Sequence, residues 1–291
     1  MKILAIDGGG IRGLIPALVL AEIERRTGRP VSSLFDLVAG TSTGSIIACA
    51  VTRPQPMPAE QIAALYVDEG PQIFHASLLK TITSVGGVLD ERYDDDGLVA
   101  SLKRHLGTKR LADATVRILL TAYDLEARQA LVLRREDDVS MVDAAHASSA
   151  APTYFQPVRL GPRTLIDGGV FAINPAILAY AEANGQIDVL ASLGTGEHTR
   201  PLHYDQVKNW GQLAWAQPII DVVFDGSADM VDSVLGRLLD DSYIRLQTRL
   251  NEASDDMDNA SAANLAALRR EAERLITARS ADIDRLCALV T

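Results

Sequence analysis

Two glycine-rich turns lie near the start of the chain, and each follows a short apolar segment. The first segment is 2–6, and the turn after it reads DGGGIRG over residues 7–13. The second segment is 37–39, and its turn reads GTSTG over residues 40–44. Apolar runs that end in glycine and alternate with segments of helical spacing are typical of parallel strands covered by helices on both faces. The chain is therefore predicted to form a three-layer α/β fold around a mainly parallel sheet.

Later segments continue this alternation. Apolar residues recur at helical spacing after the first turn, and Gly28 and Pro30 are expected to end that helix. The other expected elements are a helix over 43–52 and strands over 117–122, 130–133 and 189–193.

The charge, hydropathy and cysteine content of the chain limit its possible partners and its expected location. The chain has 28 Lys and Arg against 38 Asp and Glu, a formal net charge of −10. This balance argues against a nucleic-acid partner, which needs a basic surface. No segment approaches the roughly 18 apolar residues of a membrane span. Cys49 and Cys287 have no paired spacing, and Asp7 comes too early for a signal peptide, so a cytoplasmic location is expected.

The first turn also matches a nucleotide-binding pattern. The glycines of Gly8–Gly13 have the G-x-G-x-x-G spacing of a dinucleotide site. That site needs an acid at the end of the next strand, but Asp36 precedes the strand and Gly40 follows it. A nucleotide-binding module therefore remains only as an alternative.

The favoured interpretation of this turn is a cradle for a developing negative charge. Backbone N–H groups of Gly8, Gly9 and Gly10 would lie at a helix N-terminus, where an oxyanion is stabilised. Arg12 would support that charge, or it would pair with a nearby acid and fix the loop.

The second turn places a serine between two glycines. Gly40 and Gly44 flank Ser42 at a strand-to-helix junction, which is typical of an exposed nucleophile on a strained elbow. The alternative is a helix cap supplied by Ser42 or Thr43.

A serine nucleophile needs a base to take its proton. Asp167 follows an apolar pair and precedes two glycines, so it is either a buried base or part of an Asp-Gly turn. The sequence is also compatible with a Ser-His-Asp esterase, in which the triad is Ser42, Asp167 and either His198 or His203. None of the histidines lies in a recognisable motif: His75, His105, His146, His198 and His203.

Four blocks together resemble the signature of patatin-like lipid acyl hydrolases: 7–13, 40–44, 147–152 and 167–169. The tail segments 243–247 and 257–261 are also similar to the C-terminal region of that family. The resemblance implies one domain over 1–291, with C-terminal helices at about 226–291. One departure is Ser45, where many members have glycine.

The resemblance further implies a Ser-Asp dyad, with Ser42 as nucleophile and Asp167 as base. Gly8, Gly9 and Gly10 would form the oxyanion hole, supported by Arg12. The implied reaction needs no metal or cofactor. It removes fatty acyl chains from phospholipids, galactolipids or acylglycerols at a membrane or micelle surface, without transmembrane anchoring.

Two segments fit the sheet poorly. Residues 75–97 mix apolar residues with glycines and are interpreted as a candidate lid. Trp210 and Trp215 are expected to pack in the core, with the lining of an acyl tunnel or contact with a bilayer as alternatives.

Overall fold

The computed structural model describes residues 1–74, 95–197, 200–216 and 218–291. These residues contribute eight strands to one sheet, in the order β5-β6-β3-β2-β1-β7-β8, with β4 paired to β3. The strands are β1 (Lys2–Ile6), β2 (Leu37–Gly40), β3 (Arg117–Asp124), β4 (Gln129–Arg134), β5 (Val158–Leu160), β6 (Arg163–Asp167), β7 (Val189–Leu193) and β8 (Tyr243–Leu246).

The centre of the sheet is parallel and one edge is antiparallel. Strand β1 pairs in parallel with β2 and β7, and the parallel order continues to β3 on one side and β8 on the other. The β3–β4, β3–β6 and β5–β6 pairs are antiparallel. The prediction of a mainly parallel α/β sheet is confirmed.

Both faces of the sheet are buried. Along β1, Leu4 and Ile6 join one apolar cluster, whereas Ile3 and Ala5 join another. Since successive side chains of a strand point to opposite faces, the two clusters lie on opposite sides of the sheet. Helices on each side supply many of the other residues of these clusters, which gives three layers.

Helices account for most of the remaining chain. Gly28 adopts a left-handed conformation (φ 66°) and ends α1, as its position in the sequence predicted. The helices are α1 (Leu14–Thr27), α2 (Thr43–Thr52), α3 (Ala59–Asp68), α4 (Gly70–Ile73), α5 (Asp95–Leu106), α6 (Met141–Ser148), α7 (Gly169–Ala172), α8 (Ala176–Glu182), α9 (Tyr204–Val207), α10 (Gln212–Trp215), α11 (Pro218–Leu239), α12 (Ala262–Ala278) and α13 (Ser280–Val290).

The C-terminal region differs from the expected run of helices over about 226–291. Helix α11 begins earlier, at Pro218, and strand β8 interrupts the region. The interruption has a physical cause, because Ile244 and Leu246 are buried in the core and β8 pairs with β7. Of the candidate lid, residues 75–94 lie outside the described residues, and 95–97 begin α5.

The expectation that both tryptophans pack in the core is wrong. Trp210 and Trp215 are half-buried and contact each other edge to face, with ring centroids 5.2 Å apart. Neither belongs to a buried cluster, and Tyr204 and Ile219 nearby in sequence are 76% and 45% exposed. Within the described ranges, no helix has the length and apolar character needed to cross a bilayer.

Candidate active site

Ser42 lies on a sharp turn between β2 and α2. Its backbone has φ 54° and ψ −123°, a conformation that non-glycine residues rarely adopt. Gly44 permits the turn, since a side-chain carbon there would lie 2.2 Å from the carbonyl oxygen of Ile6. Ser42 is 8% exposed and stands at the N-terminus of α2, where the helix dipole favours negative charge.

A buried chain of hydroxyls holds this turn. The Ser42 N–H donates to Ser148 Oγ at 2.9 Å, and Ser148 Oγ lies 2.6 Å from Ser45 Oγ. Ser45 Oγ in turn donates to the Gly40 carbonyl at 2.8 Å. Ser45, a departure from the family pattern in the sequence, is therefore part of the hydrogen bonds that fix the elbow. Ser148, which belongs to the 147–152 block, thus connects that block to the turn that carries Ser42.

The glycine loop after β1 faces Ser42. A side-chain carbon at Gly8 would lie 3.1 Å from the Ser42 Cβ. The N–H groups of Gly9 and Gly10 make no hydrogen bond to any described residue. Gly10 has φ 58°, and the Met257 carbonyl would lie 2.2 Å from an added side-chain carbon there. Any larger residue at Gly10 would displace the loop.

The expected oxyanion role of Gly8 needs correction. Its N–H donates to the Ile173 carbonyl at 3.0 Å and is therefore already paired. Its carbonyl accepts from Thr195 Oγ1 at 2.6 Å. Gly8 fixes the loop, and the free donors are those of Gly9 and Gly10.

Arg12 is buried beneath the loop. Its Nε donates to the Gly9 carbonyl at 3.3 Å, and its Nη1 has no hydrogen-bond partner among the described residues. Burial lowers the pKa of the guanidinium, and Asp225 is the carboxylate that most opposes this effect. Arg12 thus touches the loop that carries the Gly9 amide, but it does not line the cavity that contains Ser42.

Asp167 ends β6 and is only 1% exposed. Its Oδ1 accepts a hydrogen bond from the Gly169 N–H at 2.7 Å. Burial raises the pKa of the carboxyl to about 7, against the opposing effects of the Ser42 hydroxyl and the Gly169 amide. A carboxyl with a pKa near neutrality is suited to taking and returning a proton.

Ser42 and Asp167 lie in the same cavity, although 125 positions separate them in the chain. The Ser42 hydroxyl is close enough to lower the Asp167 pKa. Oδ2 of Asp167 is buried without a regular hydrogen bond to a described residue, so the contact is looser than the one to Gly169. Such contacts often tighten only when substrate binds.

No described histidine makes a hydrogen bond or an ion pair with Ser42 or Asp167. His203 is exposed and precedes α9. His105 lines the cavity that contains Ser42, but its Nε2 pairs with Glu69 at 2.7 Å. His146 lies 3.3 Å from Asp95. His75 and His198 fall outside the described residues. No group of three His, Cys, Asp or Glu side chains in the described part of the chain is placed to hold a metal.

A large apolar cavity opens at Ser42, with a volume of about 1010 Å³ including its mouth. Ser42, Ile46 and Ala50 line it along one side of α2, so it extends roughly 12 Å from the hydroxyl. Other lining residues are Ile11, Ile62, Leu65, Tyr66, Ile73, Phe74, Leu98, Leu102, Leu106, Tyr154, Phe155, Phe224 and Met257. The cavity can take a hydrocarbon chain whose carboxyl carbon lies at Ser42.

Sequence reasoning missed several of these contacts. Met257 lines the cavity and also accepts the Ile11 N–H at 2.8 Å, which ties the C-terminal segment to the glycine loop. Phe224 was not singled out, because an isolated phenylalanine in a helical segment carries no signal of its own.

Comparison with known proteins assigns the chain to a family. Residues 4–180 match the family model described as Patatin-like phospholipase. Patatin-like protein 2 of Arabidopsis thaliana is 31% identical, over 95% of this chain and 83% of the relative. Patatin-04/09 of Solanum tuberosum is 28% identical, over 95% of this chain and 83% of that relative.

Among solved structures, VipD from Legionella pneumophila matches with a TM-score of 0.45 at 11% identity. That match covers 94% of this chain and 67% of VipD, and it is too distant to support an argument. The family model and the sequence relatives are sufficient by themselves to assign the chain to a family. The chain belongs to the patatin-like phospholipase family and is a lipid acyl hydrolase.

Proposed function

We propose that the protein releases fatty acids from glycerophospholipids through a Ser42–Asp167 dyad, with galactolipids and acylglycerols as further candidate substrates. The observation that carries the proposal is that both side chains lie in one apolar cavity, where burial raises the Asp167 pKa to about 7. A nucleophile, a base and a hydrocarbon site are thus combined.

The first step forms an acyl-enzyme. Ser42 Oγ attacks the ester carbonyl carbon while its proton passes to Asp167. The N–H groups of Gly9 and Gly10 stabilise the oxyanion, an effect worth roughly 3–4 kcal/mol per donor in comparable sites. The carbon–oxygen bond to the alcohol then breaks, and the proton on Asp167 moves to the leaving alkoxide.

The second step hydrolyses the acyl-enzyme and regenerates the free enzyme. A water molecule gives a proton to Asp167 as it attacks the acyl carbon. The bond to Ser42 Oγ breaks, and Ser42 recovers the proton. The products are a fatty acid and a lysophospholipid or other alcohol, and no redox step is needed.

Two further features of the chain fit this function: its free cysteines and its exposed apolar residues. Cys49 and Cys287 are both free thiols, which fits a reducing, cytoplasmic location. The exposed apolar residues Tyr204 and Ile219 fit peripheral contact with a lipid surface, where the substrate resides.

The test uses defined lipids. Wild-type protein, Ser42→Ala and Asp167→Asn are incubated with phospholipids, galactolipids and acylglycerols, and mass spectrometry identifies the released fatty acids. We expect release by wild type only. His198→Ala and His203→Ala serve as controls for the Ser-His-Asp alternative. Retained turnover supports the dyad, and loss of turnover in a folded histidine variant contradicts it.

A further inference from the structure

A second cavity lies on the other side of the glycine loop. It has a volume of about 760 Å³ including its mouth. Gly8 lines this cavity, whereas Gly10 lines the acyl cavity, and Phe224 lines both. The two cavities therefore flank the loop that would hold the ester carbonyl. The alcohol portion of an ester whose carbonyl lies at this loop would reach the second cavity by extending past the loop.

The floor of the second cavity is made of two buried charged residues. Arg12 is 4% exposed and Asp7 is 3% exposed. Oδ2 of Asp7 pairs with Arg245 at 2.6 Å, but its Oδ1 has no partner among the described residues. Nη1 of Arg12 likewise has none. Since unpaired buried polar atoms are costly, both point to a polar ligand.

The rim of the cavity is acidic. Asp225, Asp229 and Asp232 project from one side of α11, and Glu197 also lines the cavity; all four are exposed. Neither Asp229 nor Asp232 makes a hydrogen bond or an ion pair with a described residue.

The charges of the cavity do not balance. Even with Asp225 left aside, the described lining residues carry four carboxylates (Asp7, Glu197, Asp229 and Asp232) against two guanidinium groups (Arg12 and Arg245). A cation is therefore favoured at the rim, and Arg12 offers one anion contact on the floor. These carboxylates are not grouped as a metal site within the described residues.

We propose that this cavity binds the head group of the substrate and selects glycerophospholipids that carry a primary ammonium group, such as phosphatidylethanolamine. The phosphate lies against Arg12, and the ammonium group lies among the carboxylates of Asp229, Asp232 and their neighbours. This inference rests on the proposed function, because it requires phospholipid esters to be cleaved at Ser42.

The lining favours ethanolamine over choline. A primary ammonium donates hydrogen bonds to carboxylates, whereas quaternary ammonium groups are bound mainly by aromatic cages. Phe224 is the single aromatic side chain among the described lining residues. Anionic head groups such as glycerol phosphate meet repulsion at the rim.

The experiment uses short-chain phospholipids that stay monomeric, so that surface charge of a vesicle plays no part. The kcat/KM values are measured for dihexanoyl lipids with ethanolamine, choline or glycerol head groups. We expect wild type to prefer the ethanolamine lipid over the glycerol lipid by about tenfold, since exposed ion pairs are individually weak. In the double variant Asp229→Asn, Asp232→Asn this ratio falls to near one.

The matched control is Asp240→Asn, Asp241→Asn, which removes the same charge just after α11 and away from the lining. It keeps the wild-type ratio. Glycerophosphoethanolamine, which has no acyl chain, is added as a competitor of p-nitrophenyl butyrate hydrolysis. It inhibits wild type more strongly than the Asp229, Asp232 double variant, whereas free phosphate and free ethanolamine inhibit neither strongly.

Two failures are distinguishable. If wild type cleaves all three lipids with equal kcat/KM, or if the double variant keeps the preference, the head-group assignment is wrong and the hydrolase remains. If no phospholipid releases fatty acid in a Ser42-dependent way, the proposed function itself is wrong. Strong inhibition by free phosphate alone would assign the floor to inorganic anions and overturn the proposal.

Discussion

The backbone N–H of Ser42 donates a hydrogen bond to Ser148 Oγ at 2.9 Å, across 106 positions of sequence. The contact links the elbow to the end of α6. It also gives a partner to a backbone group that the strained turn would otherwise leave buried and unpaired.

Replacing Ser148 with alanine should slow the chemical step. The Ser42 N–H and the Ser45 hydroxyl would each lose a partner, and one such hydrogen bond is worth about 1 kcal/mol. We expect Ser148→Ala to lower kcat about tenfold with little change in KM. Ser227→Ala is the matched control, because it also removes a hydrogen-bonded hydroxyl, which donates to the Phe171 carbonyl at 3.2 Å, but Ser227 does not line the cavity that contains Ser42. Equal effects of the two substitutions would argue against this role.

The ionisation of Asp167 should set the pH dependence of the reaction. Only the ionised carboxylate accepts the Ser42 proton, and its pKa is raised to about 7. We expect kcat/KM to rise with pH, with a midpoint near 7, and then to level off. His203→Ala should leave the midpoint in place. A profile that is flat between pH 5 and 9 would be inconsistent with Asp167 as base.

Burial of Asp167 should also cost stability above neutral pH. A folded-state pKa above the ordinary value of 3.8 means that stability is lost as pH rises through about 7. Asp167→Asn removes this cost. We expect its free energy of unfolding to exceed that of wild type by up to about 4 kcal/mol at pH 8, with the difference shrinking toward pH 4. Urea unfolding at several pH values measures it, and a less stable variant at pH 8 would contradict the prediction.

The far part of the acyl cavity should set chain-length preference. Ala50 lines the cavity two turns along α2 from Ser42. Ala50→Leu fills that space, so we expect kcat/KM for p-nitrophenyl palmitate to fall at least about tenfold relative to wild type. Turnover of p-nitrophenyl butyrate by the same variant is the internal control. An equal loss for both esters would indicate a general disturbance of the core instead.

Much of the fold follows from local sequence. Bounds for β1, β7 and α2 match the predicted segments, because long apolar runs and glycine stops are local signals. Strands β5 and β8 have only three and four residues and were not predicted. Their place is set by pairing with neighbours that are distant in sequence.

In the candidate active site too, features encoded by local sequence were predicted, and features set by distant contacts were not. The elbow and the glycine loop were visible in the sequence, since each motif is contiguous. The N–H of Gly8 is occupied by the Ile173 carbonyl, and the carboxylates that act most strongly on Arg12, Asp225 and Asp221, come from α11. No local pattern records such contacts, which is why Gly8 was assigned to the oxyanion hole.

The central claim is that Asp167 activates Ser42, and the most direct measurement is the rate of labelling by a fluorophosphonate probe, followed by peptide mass spectrometry. The label should lie on Ser42. Its rate should fall at least about a hundredfold in Asp167→Asn and stay within about twofold of wild type in His198→Ala and His203→Ala. A label on another residue, or an Asp167→Asn variant that reacts at the wild-type rate, would contradict the account.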